Sequence, residues 1–143
     1  MKELKIYLAG KMSGLTFHQM NTWRELVTTS LQEIASSRSC EINIINPVDY
    51  YNFKSRRNQN EREVMDFDLA HVLSSDVVIV NMNGLADSDG TKIECWEARK
   101  NDIPVLGFNK TLYSAKHPWI MQTLTRTEDS HTDVINYIRD FYM

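Results

Sequence analysis

The chain has 143 residues, with 16 lysines and arginines against 19 aspartates and glutamates and a formal net charge of -3. A chain of this length buries roughly two-thirds of the surface that it exposes when unfolded. We therefore expect residues 1–143 to form one domain whose core needs no metal or disulfide. The nearly balanced charge offers no basic surface to a nucleic acid polymer or an anionic membrane, so neither is an expected partner.

The sequence favours a cytoplasmic location with reduced thiols. No apolar run approaches the roughly 20 residues that span a bilayer. The N-terminal residues lead into a predicted strand rather than into the core of a signal peptide. The two cysteines, Cys40 and Cys95, occur in unrelated contexts. We favour two free thiols over a disulfide between them.

Apolar runs of strand length alternate with longer segments of helical period, which is typical of βαβ units and a parallel sheet. The predicted strands are residues 5–9, 42–45, 77–80 and 104–108. The third is apolar at every position, as in a strand covered on both faces. The predicted fold is therefore an α/β, three-layer, doubly wound parallel sheet of the flavodoxin-like or Rossmann-like kind, with about four to five strands.

Helices are predicted between and after these strands. The first begins with a capping box of Thr16 and Gln19 and carries an apolar stripe made of Phe17, Met20, Trp23, Val27, Leu31, Ile34 and Ala35. Two more are predicted at about residues 60–74 and 92–100. A C-terminal helix is predicted to dock on the sheet through Val134, Ile135, Ile138, Phe141 and Tyr142. The polar segment 54–62 is predicted to be a surface loop, with a lid as the less favoured alternative.

In an open parallel sheet, ligands bind beyond the carboxyl ends of the strands. The first predicted strand is followed by GKMSG at 10–14, whose glycines allow close backbone approach and whose Lys11 and Ser13 suit an anion or a hydroxyl. The spacing is not that of a P-loop, and a plain glycine turn is the favoured interpretation of this segment alone. Residues 81–91 form a longer connection than the two to six residues common between a strand and a helix, which hints at a ligand site.

Two interpretations compete for Glu94. With Thr91 it matches a capping box, in which the glutamate only satisfies a free backbone amide, and this is the favoured interpretation of these residues alone. A carboxylate at the start of a helix also has a lowered pKa, which would keep Glu94 ionised as a nucleophile requires.

Asp68 and Tyr7 carry polar groups where core residues are expected. On a helical wheel Asp68 falls between Val64 and Val72, where a carboxylate is costly unless it is paired, hydrogen-bonded or protonated. A structural aspartate that caps a neighbouring loop is an equal alternative. The hydroxyl of Tyr7 lies near the end of the first strand and needs a polar partner. We expect Tyr7, Asp68 and Glu94 to converge on one crevice.

Three segments resemble, in order and spacing, those of the nucleoside 2-deoxyribosyltransferase family. They are IYLAG at 6–10, DLA at 68–70 followed by DVV at 76–78, and DGTKIE at 89–94. The family includes the related 2'-deoxynucleoside 5'-phosphate N-hydrolases, and the resemblance covers about residues 5–108.

The resemblance implies roles for individual residues. Glu94 matches the nucleophilic glutamate, Tyr7 the tyrosine that hydrogen-bonds it, and Asp68 the aspartate near the leaving base and the sugar. A polar residue that contacts substrate matches Ser88 or Asp89. The loop that holds a 5'-phosphate in the hydrolase branch matches Gly10, Lys11, Met12, Ser13 and Gly14. The arginine expected in that loop is replaced by Ser13, with Lys11 as the nearby cation.

The implied activity is that of a nucleoside 2-deoxyribosyltransferase. The N-glycosidic bond of a 2'-deoxynucleoside is cleaved through a covalent deoxyribosyl ester of Glu94, and the sugar passes to another base. Two alternatives stay open: a 2'-deoxynucleoside 5'-monophosphate N-glycosidase, a hydrolase that uses the same residues, and a nucleotide-binding sensor without turnover. No metal or organic cofactor is implied, and the four histidines lack the spacing of metal ligands.

The resemblance also implies a homo-oligomer, at least a dimer, in which a neighbouring subunit completes the pocket for the small-molecule substrate. The segment HPWIM at 117–121 follows the last predicted strand, where the family often places such residues. Trp119 or Met121 is the candidate cover for the base of a partner's substrate, with ordinary helix packing as the favoured alternative.

Overall fold

The structure is a computed structural model that describes residues 2–50 and 60–143. Its strands are β1 (Lys2–Ala9), β2 (Cys40–Ile45), β3 (Val77–Asn81), β4 (Val105–Phe108) and β5 (Arg126–Thr127). They form a five-stranded parallel sheet with the order β2-β1-β3-β4-β5. The strand order reverses between β1 and β3, and such a switch point opens a crevice at the carboxyl ends of the two strands.

The described α-helices are α1 (Phe17–Ser37), α2 (Glu61–Leu73), α3 (Asp89–Lys100), α4 (Pro118–Thr123) and α5 (His131–Phe141). The predicted capping box of α1 is confirmed, because the Thr16 side chain accepts from the Gln19 amide at 3.1 Å and the Gln19 side chain accepts from the Thr16 amide at 2.9 Å. The Asn60 side chain caps α2 by accepting from the Glu63 amide at 2.9 Å. The predicted second helix is present as α2, and the predicted C-terminal helix is present as α5.

The two faces of the sheet carry separate apolar clusters. One cluster joins the sheet to α1 and α5 and includes Leu4, Ile6, Leu8, Val27, Leu31, Ile79, Phe108, Val134 and Ile138. The other joins the sheet to α2 and α3 and includes Tyr7, Ala9, Val72, Val78, Val80, Cys95 and Ala98. This three-layer α/β arrangement, closed by the C-terminal helix, confirms the predicted fold class.

The alternation of side chains along β1 decides where Tyr7 lies. Successive residues of a strand point to opposite faces of the sheet. Leu4, Ile6 and Leu8 pack on the α1 and α5 side, whereas Tyr7 and Ala9 pack on the α2 and α3 side. Tyr7 is therefore directed toward the two helices that carry Asp68 and Glu94.

Some element boundaries differ from the prediction. β1 begins at Lys2 instead of residue 5, because its polar first residues pair through the backbone with Cys40 and Glu41 of β2. The short strand β5 and the single-turn helix α4 were not predicted as elements. Of the predicted inner-face residues, Phe17 and Phe141 are exposed, since each lies at a helix end beyond the edge of the core.

Three further predictions concern the cysteines, the membrane and the polar loop. Cys40 and Cys95 are both free and buried, and they lie in the clusters on opposite faces of the sheet. Among the described residues, no helix is both long and apolar enough to cross a bilayer. Residues 54–59 of the predicted loop lie outside the described residues. Its last residues were predicted wrongly, because Asn60 caps α2 and Glu61 and Arg62 lie in the helix.

Candidate functional site

The centre of the candidate site is a hydrogen bond between β1 and α3. Tyr7 is fully buried in β1, and its hydroxyl donates to Oε2 of Glu94. Glu94 is half-buried on α3, which packs against the sheet face to which Tyr7 points. The strand and the helix thus bring together two of the three residues that were expected to converge.

The capping-box interpretation of Glu94 is wrong. The N-cap of α3 is Ser88, so the helix begins three residues before the predicted residue 92, and Thr91 lies inside it. Thr91 is buried and its hydroxyl lies 2.6 Å from the Ser88 hydroxyl. The side chain of Glu94 bonds Tyr7 and not a backbone amide at the helix start.

The expectation of a lowered pKa at Glu94 is also wrong. Burial raises the pKa of Glu94 from 4.5 to about 8, and the negative charge of Asp68 raises it further. The hydrogen bond from Tyr7 and the charge of Arg24 act in the opposite direction. Glu94 lies beyond the first turn of α3, where the helix dipole has largely faded, so loss of solvation determines the outcome.

Tyr7 remains a proton donor over the whole useful pH range. Burial raises its pKa far above the usual value, and the charges of Glu94 and Asp68 raise it further. A neutral phenol can donate one hydrogen bond, and the bound carboxylate receives it. Tyr7 therefore orients Glu94 and compensates part of its lost solvation.

Asp68 belongs to the same site. It is half-buried on α2, on the stripe that runs from half-buried Val64 to buried Val72, as predicted. Its negative charge raises the pKa of both Tyr7 and Glu94. Met65 and Leu73 of the same helix are exposed, so the buried stripe of α2 is narrow.

Sequence analysis missed Arg24 of α1. Arg24 is fully buried and donates to the carbonyls of Met20 at 2.5 Å and Gly10 at 3.2 Å. Burial lowers the pKa of Arg24 to about 10, and the negative charges of Glu94 and Asp68 oppose this change. The signal was available, because Arg24 interrupts the apolar stripe of α1 as Asp68 interrupts that of α2.

The turn after β1 depends on close packing at Gly10. A Cβ at this position would lie 2.8 Å from the Trp23 ring and 3.5 Å from the Asn81 side chain. Beyond the turn lies a cleft of about 240 Å³ lined by Lys11, Leu15, Gln19, Trp23, Asn81 and Asn83. This cleft occupies the switch point between β1 and β3, where the fold predicts a ligand.

The other residues of the loop 10–14 differ in their exposure. Lys11 lines the cleft, and Met12 is half-buried, whereas Ser13 and Gly14 are exposed. Gly14 has a φ of +78°, a conformation that favours glycine. Lys11 is therefore the residue of this loop that contributes a charge to the lining of the cleft.

Ser88 and Asp89 begin α3 and differ in orientation. Ser88 is half-buried and hydrogen-bonded to Thr91. Asp89 is exposed, and its carboxylate lies 3.6 Å from the amine of Lys92. Of the two candidates, Ser88 is thus the less exposed, and its hydroxyl lies against Thr91 inside α3.

The two candidate cover residues also differ. Met121 is half-buried and packs with Ile120 against the cluster that contains Tyr7. Trp119 is 80% exposed on α4. Met121 therefore has the ordinary helix-packing role within the chain. The same interpretation is wrong for Trp119, whose side chain is exposed.

Comparisons with known proteins identify the fold. No family model and no curated relative matches the sequence. The structure is similar to a conserved protein from Enterococcus faecalis, with a TM-score of 0.75, 16% identity and coverage of 96% of this chain and 98% of the other. It is similar to a 2-deoxyribosyltransferase from Bacillus psychrosaccharolyticus, with a TM-score of 0.70, 20% identity and coverage of 93% and 91%.

A third similar structure is a CMP N-glycosidase from Clostridium botulinum, with a TM-score of 0.52, 13% identity and coverage of 97% and 99%. The matches extend over nearly the whole of each chain, so they concern the complete architecture and not a shared sheet alone. The chain therefore has the nucleoside 2-deoxyribosyltransferase-like fold.

Proposed function

We propose that this protein is a nucleoside 2-deoxyribosyltransferase that cleaves a 2'-deoxynucleoside and transfers its sugar to another base. The observation that carries the proposal is the hydrogen bond from buried Tyr7 to Glu94, with the charge of Asp68 acting on both. The site lies at the switch point of a fold that a 2-deoxyribosyltransferase shares.

In the first step, Oε1 or Oε2 of ionised Glu94 attacks C1' of the sugar. A C1'–O bond forms, the C1'–N bond breaks, and the bonding electron pair leaves with the base nitrogen. This is the logic of retaining glycosidases, in which a carboxylate attacks an oxocarbenium-like sugar and a second group handles the proton. Asp68 binds the sugar or the base and relays a proton from water to the departing nitrogen, which accepts it with the electron pair of the broken C1'–N bond.

In the second step, a nitrogen of the acceptor base attacks C1' of the ester. The C1'–N bond of the new nucleoside forms, and Glu94 leaves as a carboxylate. The proton lost by the acceptor nitrogen returns through the route that protonated the first base. Tyr7 holds the carboxylate in place through both steps, because its own pKa keeps it protonated. No metal or organic cofactor takes part in either step.

Hydrolysis is the second candidate. Glu94 is only half-buried in the chain, so water can approach the ester, and the similar CMP N-glycosidase supports this chemistry in the fold. Water would then take the place of the acceptor base and release free deoxyribose or its phosphate. Lys11, which lines the cleft beside the β1 turn, is the candidate contact for a 5'-phosphate.

We also propose that the protein acts as a homo-oligomer. Trp119 is 80% exposed and follows the last long strand of the sheet, a large apolar side chain that the single chain leaves uncovered. A partner subunit that received Trp119 would bury it and could close the cleft against water. Water exclusion is what separates transfer from hydrolysis.

The test is an assay of base release from deoxynucleosides and their 5'-monophosphates, with and without an acceptor base. A new nucleoside identifies transfer, and free deoxyribose or its phosphate identifies hydrolysis. Glu94→Ala should lower turnover at least about a thousandfold, the scale expected for loss of a nucleophile. The matched control is Glu97→Ala, which removes a glutamate of the same helix that pairs with Lys100 at 3.1 Å.

Two outcomes would contradict the proposal. Unchanged turnover in Glu94→Ala would refute the covalent mechanism. No turnover by the wild-type protein on any of these substrates, together with binding of a nucleotide, would indicate a binding module. Trapping of a deoxyribosyl ester on the Glu94 peptide by acid quench and mass spectrometry would support the mechanism directly.

A further inference from the structure

Arg24 is a buried cation at the junction of α1 with the turn that follows β1. Its side chain is 0% exposed. Its two terminal nitrogens donate to the carbonyls of Met20 and Gly10, and its guanidinium carbon lies 4.6 Å from the centre of the Trp23 ring. The Nε–H of Arg24 has no acceptor among the described residues. Two carbonyls and one aromatic face thus supply its immediate contacts.

These contacts compensate only part of the cost of burying a charge. An ion loses several kcal/mol of solvation in a protein interior, and opposite charges must return most of it. The carboxylates whose charges favour ionised Arg24 are those of Glu94, Asp68 and Asp49. Two of these three, Glu94 and Asp68, belong to the candidate site.

The attraction between a cation and a carboxylate stabilises the charged form of both groups. Glu94 accepts a hydrogen bond from Tyr7 of β1, and the charges of Asp68 on α2 and Arg24 on α1 shift its pKa. Asp68 disfavours the ionised carboxylate of Glu94, whereas Arg24 and the Tyr7 hydrogen bond favour it. The neighbouring Cys95 thiol stays neutral because burial raises its pKa. Arg24 is thus the single positive charge that acts on Glu94 within the described residues.

The second contact of Arg24 concerns the backbone of the turn. The Gly10 carbonyl accepts from Nη2 of Arg24 at 3.2 Å, and the next residue, Lys11, lines the cleft. Trp23 and Asn81 close the other sides of Gly10. A donor fixed in the core therefore sets the direction in which the backbone enters the cleft.

We propose that Arg24 is a positioning residue of this site, which fixes the Gly10 turn through its hydrogen bond to the Gly10 carbonyl and contributes a buried positive charge that favours the ionised carboxylate of Glu94. Its kinetic consequences rest on the proposed function. Its effect on the Glu94 carboxyl can be measured by titration, without turnover.

The experiment compares two variants of Arg24 with a neutral control. Arg24→Met removes the charge and the donors, whereas Arg24→Lys retains the charge on one nitrogen. Val27→Ala is the matched control, since Val27 is the next buried residue on the same stripe of α1 and carries no charge. The titration of Glu94 is followed by carbon-13 NMR of glutamate-labelled protein, with Glu94→Gln to assign the resonance. The pH profile of kcat/KM for base release is measured in parallel.

We expect Arg24→Met to raise the pKa of Glu94 by about one unit and to lower kcat/KM at neutral pH about tenfold. Arg24→Lys should keep the pKa near the wild-type value and still lower kcat, because one amine cannot reproduce the two-pronged geometry of a guanidinium. Val27→Ala should lower Tm without changing the pKa of Glu94 or kcat/KM.

An unchanged Glu94 titration in Arg24→Met would overturn the electrostatic role. Wild-type kcat in Arg24→Lys would overturn the positioning of the Gly10 turn. If Arg24→Met does not fold, Arg24→Gln, which keeps a donor without the charge, takes its place with the same expected rise in pKa. A wild-type protein that releases no base refutes the proposed function, whereas the titration still decides the role of Arg24.

Discussion

The hydroxyl of Tyr7 donates a hydrogen bond to Glu94 across 87 residues of sequence. The two meet because β3 pairs with β1 and leads into α3, which packs on the sheet face where Tyr7 points. Burial raises the pKa of each group, so the phenol stays protonated and the carboxylate loses solvation. The bond between them therefore orients Glu94 and offsets part of the rise in its pKa that burial causes.

Tyr7→Phe tests this relationship. The substitution removes one donor from a carboxylate that has little solvent to replace it, and the pKa of Glu94 should rise above about 8. Loss of a hydrogen bond to a charged group costs about 1.5–3 kcal/mol, so turnover should fall by at least about tenfold. The measurement is the pH profile of kcat for base release.

The matched control for Tyr7→Phe is Tyr113→Phe. Tyr113 is buried in the same apolar cluster, but its hydroxyl accepts from the His117 amide at 3.2 Å and lies outside the site. The control should lower stability without moving the pH profile. Equal profiles for both variants would contradict the role assigned to Tyr7.

Asp68→Asn should separate two effects of one carboxylate. Its charge raises the pKa of Glu94, so the variant should ionise Glu94 at a lower pH. The variant should also lose assistance to the leaving base, so its maximal kcat should fall even though more Glu94 is ionised. Asp66→Asn is the control, because exposed Asp66 pairs with Arg62 at 3.6 Å on the outer side of α2. A rise in maximal kcat would argue against the assigned role.

The raised pKa of Glu94 has a consequence for stability. The pKa is 4.5 for an ordinary glutamate and about 8 in the folded chain, so the folded state binds this proton more tightly than the unfolded state does. The resulting stabilisation is complete below the ordinary value and is lost as the pH rises through the folded value. The free energy of unfolding of the wild-type protein should therefore fall, relative to Glu94→Gln, between about pH 5 and about pH 8.

Urea unfolding at several pH values, followed by circular dichroism, measures this difference. Groups other than Glu94 titrate in both proteins, so their contributions to the free energy of unfolding cancel when the two curves are subtracted. Parallel curves across this range would show that Glu94 titrates with an ordinary pKa in the folded chain.

Local patterns predicted the central strands and the long helices, because their signals lie within one element. β3 is buried throughout and apolar at its first four residues, and the capping box of α1 is made by residues three apart. β5 has two residues and owes its existence to pairing of Thr127 with Gly107 of β4. No periodicity can be read from two residues, so such a strand is visible only after the sheet has formed.

The site was predictable in membership but not in electrostatics. Asp68 and Arg24 both interrupt an apolar stripe, so either could be found by the same rule. The Thr91 to Glu94 spacing favoured a cap because that pattern is short-range, whereas the true partner of Glu94 comes from a distant strand. The pKa of Glu94 depends on burial by that strand and on charges from two other helices, which local sequence does not encode.

Replacement of glycine by alanine should change stability in opposite directions at Gly10 and Gly90. Gly10→Ala would place a Cβ 2.8 Å from the Trp23 ring, within a packed turn. We expect a loss of about 1–3 kcal/mol of stability from overpacking. Gly90→Ala would meet no atom within 4 Å inside α3, and a helical alanine in place of glycine should stabilise by about 0.5–1 kcal/mol.

Thermal or urea unfolding of both variants gives the comparison. The opposite signs are the essential result, because both substitutions add the same methyl group. A Gly10→Ala protein as stable as the wild type would mean that Trp23 moves away without cost.

Trp119 tests the proposed homo-oligomer. A tryptophan that is 80% exposed in the single chain would be buried by a partner that receives it. Truncation of such an anchor costs about 2 kcal/mol or more of binding free energy, so Trp119→Ala should weaken association about thirtyfold. Light scattering over a dilution series measures the association, and the KM for the acceptor base reports closure of the cleft.

Leu112→Ala is the control for Trp119→Ala, since Leu112 is also exposed but precedes α4 in the sequence, whereas Trp119 lies within it. An association that Trp119→Ala leaves unchanged, or that both variants weaken equally, would exclude Trp119 as the contact between subunits.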